Sequence, residues 1–497
     1  MLFNSIDFLL FFPLVTVLYF LLPHRVRWVW LLVASYYFYM CWNAKYALLI
    51  ALSTLITFLS GLLIARAERI GDETKRRRRK KLWVALSFIS NLAILFFFKY
   101  FNFFLDNLTA VAGLLGLTFK EPAFDIVLPV GISFYTFQAL SYTMDVYRNE
   151  LKAEHNLFKY ALFVSFFPQL VAGPIERSKN LLTQIHERHT FDPDRARDGL
   201  LLMLWGMFEK IVIADRVSYL VTYVYDNYAA LPGIAVVLAT VVFAVQIYCD
   251  FAGYSDIAIG AAQVLGFRLM DNFRQPYLSR SVAEFWRRWH ISLSSWFRDY
   301  LYIPLGGNRK GTARKYLNLM ITFLTSGLWH GASWNFVVWG GLNGAYQIIG
   351  SILAPVRENI CAMLHINRQR PFWMLLRILC TFCLIDFAWL FFRAESFSAA
   401  MDMLRHTIAN FQPMAIMGPA LFDLGLSKPD FLVAGAAILV LIIADLLKER
   451  FGSLRPYLTK RPLPVRWAVY LVGILAVLIF GIYGPGYSES QFIYFQF

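Results

Sequence analysis

The chain has 497 residues, of which 58% are hydrophobic, 17% aromatic and only 16% charged. Soluble proteins carry about 25% charged residues, so this composition excludes a soluble globular protein and predicts a membrane protein with many spans. The formal net charge is +15, but the basic residues lie between apolar runs, which is typical of cytoplasmic loops and not of a nucleic-acid-binding face. The five cysteines lie in or beside apolar segments, and the single CxxC spacing of Cys380 and Cys383 predicts neither a metal site nor a disulfide framework.

The first apolar run, MLFNSIDFLLFFPLVTVLYFLLPHRVRW, has no basic segment at its start and no small-residue cleavage site after it. These features are typical of a retained membrane span and not of a signal peptide. Because basic residues follow this span, the N-terminus is predicted to lie outside the cytoplasm. Spans at 28–42, 47–65 and 82–105 then alternate in direction and place the basic cluster KRRRRKK (75–81) in the cytoplasm, where we expect it to contact anionic lipid.

The run LPVGISFYTFQALSYTMDVYR (128–148) carries Gln138, Tyr142 and Asp145, an unusually polar load for a membrane segment. Polar groups at membrane depth face the bundle interior or a water-filled cavity, so we expect these side chains to point inward. The next apolar run, residues 160–172, is shorter than the ~20 residues that a full crossing needs. It ends at helix-breaking prolines and a glycine and has basic residues on both sides, which predicts a re-entrant hairpin on the cytoplasmic side.

Spans are predicted at 199–221 and 234–262, and the second contains two carboxylates, Asp250 and Asp256. At about 100° per residue, Tyr254 shares a helix face with Asp250, whereas Asp256 lies well round from both. Two acids in one span favour a wet interior around this helix. In the alternative interpretation, these acids cap a helix or pair with arginines in the following loop.

The loop at 263–316 is rich in arginine and lysine, so it is predicted to be cytoplasmic. Within it, SVAEFWRRWHISLSSWFRDY begins like a capped helix and repeats aromatic residues at helical spacing. The opposite face carries Arg287, His290, Ser294 and Arg298. We therefore predict an amphipathic helix at the membrane boundary, with its aromatic residues in lipid or protein.

The segment PLGGNRKG follows this predicted helix and combines a glycine turn with Arg309 and Lys310. Together with Arg287 and Arg298, these residues suit a polyanionic cofactor that arrives from the cytoplasm. The segment is not a P-loop because the GK[ST] ending is absent. A basic face that is merely solvated is the alternative.

The segment at 317–350 contains LTSGLWHGASWNFVVWG, in which His330 follows Trp329 and precedes Asn335. The segment is short for two full crossings, so we predict a broken helix with the break near Gly327–Asn335. An ionisable ring in an apolar segment is a functional-site hypothesis by default. The alternative is a tight packing site whose histidine hydrogen-bonds a neighbouring helix.

The remaining spans complete an all-α bundle of about eleven transmembrane helices with re-entrant and amphipathic helices. The basic loop before the last span places the C-terminus outside the cytoplasm. Residues 1–497 are predicted to form a single domain, with 281–340 as its catalytic core and 488–497 as an extracytoplasmic aromatic tail. The last three spans are expected at 372–393, 430–447 and 467–484.

Three passages, QIYCDFAGYSDIAIG, FWRRWHISLSSWFRDYLYIPLGGNRKG and GLWHGASWNFVVWG, resemble the core of bacterial membrane-bound O-acyltransferases. The resemblance extends from MLFNSIDFLLFF through LVAGPIERSKNL and covers nearly the whole chain. Within the family the chain is similar to the group that acylates cell-envelope polysaccharides, such as alginate and peptidoglycan. The resemblance implies a fold with a central tunnel. Through this tunnel the acyl group of a cytoplasmic donor would be transferred to an acceptor on the outer side.

The resemblance also implies roles for individual residues. The family's invariant histidine matches His330, which would be the general base, and its second, less constant polar position matches His290. The tail FIYFQF (492–497) resembles an aromatic C-terminal motif whose tyrosine, here Tyr494, is proposed to carry the acyl group. An interfacial anchor is the alternative role for Tyr494. Acetyl-CoA or another acyl thioester is the expected donor substrate, with no permanently bound cofactor.

The expected location is the bacterial inner membrane, with transfer to the polymer completed by a separate extracytoplasmic SGNH-type partner. Two other functions fit parts of the sequence. A polytopic transporter or flippase of an acyl donor would also use broken helices and midplane polar groups. A lipid or protein acyltransferase of the same family would use His330 on a long-chain donor. The identity of the polysaccharide does not follow from the sequence.

Overall fold

The computed structural model describes residues 1–117, 128–171 and 173–483, and every regular element in these ranges is helical. This confirms the all-α prediction. The chain divides into two compact units, Met1–Leu200 with Ile257–Met270, and Leu201–Asp256 with the chain from Asp271 onward. The single-domain organisation over 1–497, with a core at 281–340, stays a prediction, and the tail at 488–497 lies outside the described residues.

The helices of the first unit are α1 (Ile6–Leu21), α2 (His24–Asn43), α3 (Ala47–Ala67), α4 (Glu73–Leu95), α5 (Phe101–Leu114), α6 (Ile132–Tyr147), α7 (Leu157–Ser165), α8 (Phe167–Leu170) and α9 (Ser178–Ile185). Next along the chain are α10 (Pro193–Met207), α11 (Asp215–Asn227) and α12 (Gly233–Leu265), and a π-helical segment, Phe208–Ala214, joins α10 to α11. The helices of the second unit continue with α13 (Val282–Arg288), α14 (Ile291–Phe297), α15 (Thr312–His330), α16 (Trp334–Ile352), α17 (Ala354–Met363), α18 (Pro371–Arg393), α19 (Phe397–Ala409), α20 (Lys428–Phe451), α21 (Arg455–Thr459) and α22 (Leu463–Phe480).

Six helical runs in the described ranges are long and apolar enough to cross a membrane, and α16 with α17, bent by 47°, would be a seventh. Two of the six, His24–Ala67 and Glu73–Leu114, have 44 and 42 residues, about twice the ~20 residues of one crossing. These runs support a multi-pass membrane protein. The count of about eleven crossings stays a prediction, as does the central tunnel.

Helix α6 buries its polar side chains inside the first unit, which confirms the prediction from its sequence. Gln138 Nε2 donates to the carbonyl oxygen of Phe163 at 2.6 Å, and the Tyr142 hydroxyl accepts the backbone N–H of Glu154 at 2.9 Å. A serine hydroxyl of α9 donates to Asp145 Oδ2 at 2.7 Å. Helices α7 and α8, with 9 and 4 residues, are too short for a crossing, as predicted for the re-entrant segment.

Tryptophan side chains form the centre of the second unit. Trp289, Trp339 and Trp389 are each 1% exposed. The ring centroid of Trp389 lies 5.1 Å from that of Trp289 and 5.9 Å from that of Trp339. Since each residue belongs to a different part of the chain, their stacking joins the α13–α14 junction, α16 and α18 into one core.

Candidate active site

The helix that contains His330 is broken directly after this residue. His330 is the last residue of α15, Gly331 has extended backbone angles (φ −161°, ψ 149°), and α16 begins at Trp334. This confirms the break predicted between Gly327 and Asn335. The fold therefore places the histidine at a helix end, where its side chain is not held inside a continuous helix.

Paired glycines hold α15 and α16 tightly together as an antiparallel hairpin. A Cβ atom at Gly327 would lie within 3.0 Å of the carbonyl oxygen of Phe336, and a Cβ atom at Gly340 equally close to that of Phe323. No residue larger than glycine permits such a close approach of two helix backbones. The hairpin therefore fixes the position of His330 at its closed end.

The His330 side chain is buried among aromatic rings. It is 3% exposed, and its ring centroid lies 5.0 Å from those of Trp329 and Trp339 and 5.3 Å from that of Phe392. The interplanar angles, 83°, 82° and 72°, are those of edge-to-face packing. The rings enclose the imidazole and restrict the directions from which a reactant can approach it.

Trp329 packs against both predicted histidines. Its ring centroid is 5.0 Å from that of His330 and 6.0 Å from that of His290. His290 is 1% exposed and also packs edge-to-face on Phe251, with the centroids 4.5 Å apart. The structure thus packs against one tryptophan two histidines that are 40 residues apart in the sequence.

Asn272 sets the orientation of His290. Its Oδ1 accepts the backbone N–H of Ser292 at 3.3 Å, which fixes the amide orientation, and it lies 3.1 Å from His290 Nδ1. Its Nδ2 donates to the hydroxyl of Ser255 at 3.0 Å. Because Oδ1 can only accept, His290 Nδ1 must donate. The imidazole therefore carries its proton on Nδ1 and keeps the lone pair of Nε2.

Burial lowers the pKa of His290 to about 3, so the ring is neutral at physiological pH. His290 also has left-handed backbone angles (φ 43°, ψ 55°), which are uncommon for a residue with a Cβ atom. The backbone carbonyl of Asn272, which accepts the N–H of Ile291 at 2.9 Å, helps to hold this conformation. Such strained positions cluster at functional sites.

The prediction of one continuous amphipathic helix through His290 is wrong. Helix α13 ends at Arg288, and a new helix, α14, begins after the left-handed residue His290. The contacts with Asn272 stabilise this break and turn the imidazole inward, whereas Arg287 and Arg298 stay exposed. Helical periodicity alone could not predict the break at His290, since Asn272, which stabilises it, lies outside the predicted helix.

The four predicted cofactor-binding residues lie at the surface of the protein. Arg287, Arg298, Arg309 and Lys310 are all exposed, and Arg298 Nε donates to Asp299 at 2.8 Å. The glycine turn is held by Asn318, whose Nδ2 donates to the carbonyl oxygen of Gly307 at 3.1 Å. Their role in donor binding stays a prediction. Ser294, also predicted, is half-buried, and its hydroxyl donates to the carbonyl oxygen of Trp289 at 3.2 Å.

Asp250 belongs to a buried group of charges. Lys210 Nζ, in the π-helical segment, lies 2.6 Å from Asp250 Oδ1 and 2.7 Å from Asp215 Oδ1. Asp250 therefore pairs with a lysine of the π-helical segment. Tyr254 is buried on the same side of α12, close to Asp250, whereas Asp256 lies near Glu209. The predicted division of faces is confirmed.

Asn335, at the start of α16, connects the hairpin to α18. Its Nδ2 donates to the carbonyl oxygens of Ala394 at 2.8 Å and Phe391 at 3.3 Å. These carbonyl groups belong to the C-terminal end of α18, where backbone carbonyls have no N–H partner within the helix. Asn335 thereby fixes the helix end that carries Phe392, one of the rings around His330.

Several residues of the site were not predicted from the sequence. Lys210 could have been predicted, because a charged residue within the span predicted at 199–221 must face a partner inside the protein. No sequence pattern indicated Asn272 or Phe392, since one is a single asparagine in a loop and the other is one phenylalanine among many. Tyr494, predicted as the acyl carrier, lies outside the described residues.

Comparison with known proteins identifies the family of this chain. The sequence model of the membrane-bound O-acyltransferase family matches residues 148–392, which include both histidines. The chain is 38% identical to the "Probable alginate O-acetylase" of Pseudomonas putida, over 100% of both chains. It is 35% identical to the peptidoglycan O-acetyltransferase of Helicobacter pylori, over 76% of this chain and 73% of that protein.

A more distant relative is the teichoic acid D-alanyltransferase of Bacillus subtilis, with 27% identity over 44% of this chain and 58% of that protein. The names of these relatives differ in the acyl group and in the acceptor, but all describe acyl transfer. The match over the whole length of one relative and the placement of His290 and His330 inside the matched region lead to one conclusion. The chain belongs to the membrane-bound O-acyltransferase family and is an acyltransferase.

Proposed function

We propose that this chain is an O-acetyltransferase of the bacterial inner membrane that acts on a cell-envelope polysaccharide. The observation that carries the proposal is that two buried histidines, His290 and His330, both pack against Trp329. The names of two relatives, an alginate O-acetylase and a peptidoglycan O-acetyltransferase, support acetyl transfer to a polysaccharide. The donor in this proposal is cytoplasmic acetyl-CoA.

His330 is the general base of the proposed reaction. It takes the proton of an attacking hydroxyl while the oxygen forms a bond with the carbonyl carbon of the thioester. The carbon–sulfur bond then breaks, and the proton passes from His330 to the departing thiolate. His290, neutral and with its Nδ1 proton held by Asn272, presents the lone pair of Nε2 and assists as a polar partner in the same aromatic enclosure.

Tyr494 is the first acceptor in this proposal, and it releases the acetyl group to the next hydroxyl on the outer side. The chain that leads to it starts from an anchored point, because Ile482 donates its N–H to the carbonyl oxygen of Ile211 at 3.0 Å. Arg216 Nη2 also donates to the carbonyl oxygen of Phe480 at 2.5 Å. Ten residues lie between Tyr483 and Tyr494, so the eleven steps along the chain can span at most about 40 Å.

Arg287, Arg298, Arg309 and Lys310 are proposed to attract the phosphates of the donor at the cytoplasmic surface. Their exposure supports this role, since a diffusing polyanion meets exposed cations first. A separate SGNH-type partner is proposed to complete transfer to the polymer. Asp250, Tyr254, Ser294 and Asn335 support the site through the contacts described above.

The proposal is tested by incubating the full-length protein in lipid nanodiscs with labelled acetyl-CoA, followed by peptide mass spectrometry. We expect an acetyl group on the C-terminal peptide of the wild type and none in His330→Gln or Tyr494→Phe. The matched controls are His365→Gln, an exposed histidine, and Tyr483→Phe, and both should be acetylated like the wild type. Full acetylation of His330→Gln would contradict the role of this residue as the base.

An unmodified tail in a wild type that still releases CoA would contradict the role of Tyr494. Release of CoA by none of the proteins, with or without added polysaccharide, would contradict acetyl-CoA as the donor. Movement of an acyl donor across the membrane without cleavage of its thioester would instead identify a transporter.

A further inference from the structure

The first unit contains a cavity of about 250 Å³ at the turn between α1 and α2, formed together with α7 and the segment after α9. Its wall is rich in basic side chains and contains one carboxylate, that of Glu187. The basic residues that line it are Arg25, Arg27, Lys159, His24, His186 and His189. The fixed positive charges of Arg25, Arg27 and Lys159 are suited to an anion.

Arg27 contributes a charge that no carboxylate neutralises directly among the described residues. Its Nε donates to the carbonyl oxygen of Leu22 at 2.9 Å, and its Nη1 and Nη2 donate to those of His189 and Phe20, at 2.6 and 3.0 Å. All three acceptors are uncharged. A guanidinium is always protonated and has five N–H groups, so it stays a fixed, positioned cation at the cavity wall.

Lys159 contributes a second fixed charge. Its Nζ lies 3.0 Å from His186 Nδ1, and since an ammonium group can only donate, Nδ1 accepts and Nε2 carries the ring proton. His186 Nε2 lies 2.6 Å from Glu154 Oε2. Burial alone would raise the pKa of Glu154, but the N–H of Asn156 and the ring of His186 lower it overall. Glu154 is therefore ionised and engaged by these donors, and Lys159, which lines the cavity, contacts the ring of His186.

Exposed apolar side chains occur next to the cavity residues in the sequence. Leu21, Phe158 and Phe191 are 75%, 61% and 56% exposed, and they neighbour cavity residues in sequence. Helix α1 ends and helix α2 begins beside the cavity, so it lies where apolar helices meet water. A basic pocket bordered by exposed apolar and aromatic side chains has the features of a lipid headgroup site.

We propose that this cavity binds the phosphate group of an anionic ligand, a phospholipid headgroup or a small soluble phosphate. The cations supply the charge-assisted hydrogen bonds that phosphate oxygens accept. For a phospholipid, the acyl chains would lie against Leu21, Phe158 and Phe191. The cavity shares no residue with the candidate active site, and the proposal does not depend on the proposed reaction.

The test compares the full-length wild type with the double variant Arg25→Gln/Lys159→Gln in phosphatidylcholine nanodiscs. Phosphatidylglycerol is titrated in one series and inorganic phosphate in the other, and the apparent melting temperature is followed. Native mass spectrometry reports the phospholipid that is retained. Arg69→Gln/Lys152→Gln, which removes two exposed charges elsewhere in the same unit, is the matched control. Arg27 is left intact because it holds the end of α1.

We expect saturable stabilisation of the wild type and of the control, and at least a tenfold weaker effect in the Arg25→Gln/Lys159→Gln variant. Stabilisation by phosphatidylglycerol alone identifies a lipid headgroup, whereas stabilisation by inorganic phosphate identifies a soluble anion. Equal stabilisation of variant and wild type, or none by either ligand, overturns the proposal. If the double variant is not monodisperse in gel filtration, the single variants are measured in the same way.

Discussion

His290 Nδ1 lies 3.1 Å from Oδ1 of Asn272, and this contact determines which nitrogen of the buried imidazole keeps its lone pair. The same asparagine accepts the hydroxyl of Ser292 at 2.9 Å and donates to Ser255. One side chain therefore connects α12, the start of α14 and the left-handed residue between α13 and α14. A residue so placed affects both the stability of the site and its chemistry.

Asn272→Ala is expected to lower both stability and acetyl transfer. The change leaves buried donors of His290 and Ser292 without their acceptor, at a cost of about 1–3 kcal/mol per group. The measurements are the apparent melting temperature and the rate of CoA release. Asn227→Ala, which removes an exposed asparagine of α11, is the control and should behave like the wild type. A normal melting temperature for Asn272→Ala would show that this hydrogen-bond network is dispensable.

The low pKa of His290 predicts a loss of stability in acid. The unfolded ring binds a proton below its ordinary pKa of about 6.5, whereas the folded ring stays neutral until about pH 3. Proton binding therefore favours the unfolded state between about pH 3 and pH 6.5. Above pH 7 the ring is neutral in both states, so its titration does not change the free energy of unfolding. At pH 5 the titration of His290 lowers the free energy of unfolding by about 2 kcal/mol.

The matched variant for this prediction is His290→Asn, because asparagine tolerates the left-handed backbone angles of this position. Apparent melting temperatures are measured at pH 7 and pH 5. The wild type should lose more stability than His290→Asn between the two values. Equal losses would mean that His290 is protonated in the folded protein at pH 5.

Gly327→Ala is expected to prevent the close packing of α15 against α16. The new Cβ atom would clash with the carbonyl oxygen of Phe336, and a backbone atom cannot move away as a flexible side chain can. We expect a loss of about 3 kcal/mol or more, seen as poor recovery of monodisperse protein. Gly350→Ala is a matched control on α16, since a Cβ atom there meets nothing within 4 Å. It should be neutral or stabilising by up to about 1 kcal/mol, and the prediction fails if both variants behave alike.

Lys210→Met is expected to destabilise the second unit strongly. It leaves the carboxylates of Asp215 and Asp250 buried without their shared cation, and breaking a buried ion pair in this way costs about 3–5 kcal/mol. Thermal unfolding followed by gel filtration measures the loss. The triple variant Lys210→Met/Asp215→Asn/Asp250→Asn removes all three charges and should recover most of the stability. Failure of this recovery would show that the charges themselves are required.

Prediction from the sequence succeeded where local pattern carries the information. The helix break beside His330 follows from two glycines in a segment too short for two crossings, and the inward-facing polar residues of α6 follow from the cost of exposing them to lipid. The continuous helix through His290 was wrong, because a left-handed residue held by Asn272 interrupts it. Helical periodicity reports which residues could share a face, but it does not report a hydrogen bond from elsewhere in the chain.

The sequence by itself determined that this is an all-α membrane protein and that His330 lies at a break in an apolar segment, since hydropathy and glycine spacing are properties of the linear chain. Only the tertiary structure decided that Trp329 packs against both His290 and His330, that Asn272 fixes the imidazole of His290, and that Lys210 pairs with Asp250. These contacts join residues from different helices. Their partners are chosen by packing and by the need to satisfy buried polar groups, which operate only once the helices have come together.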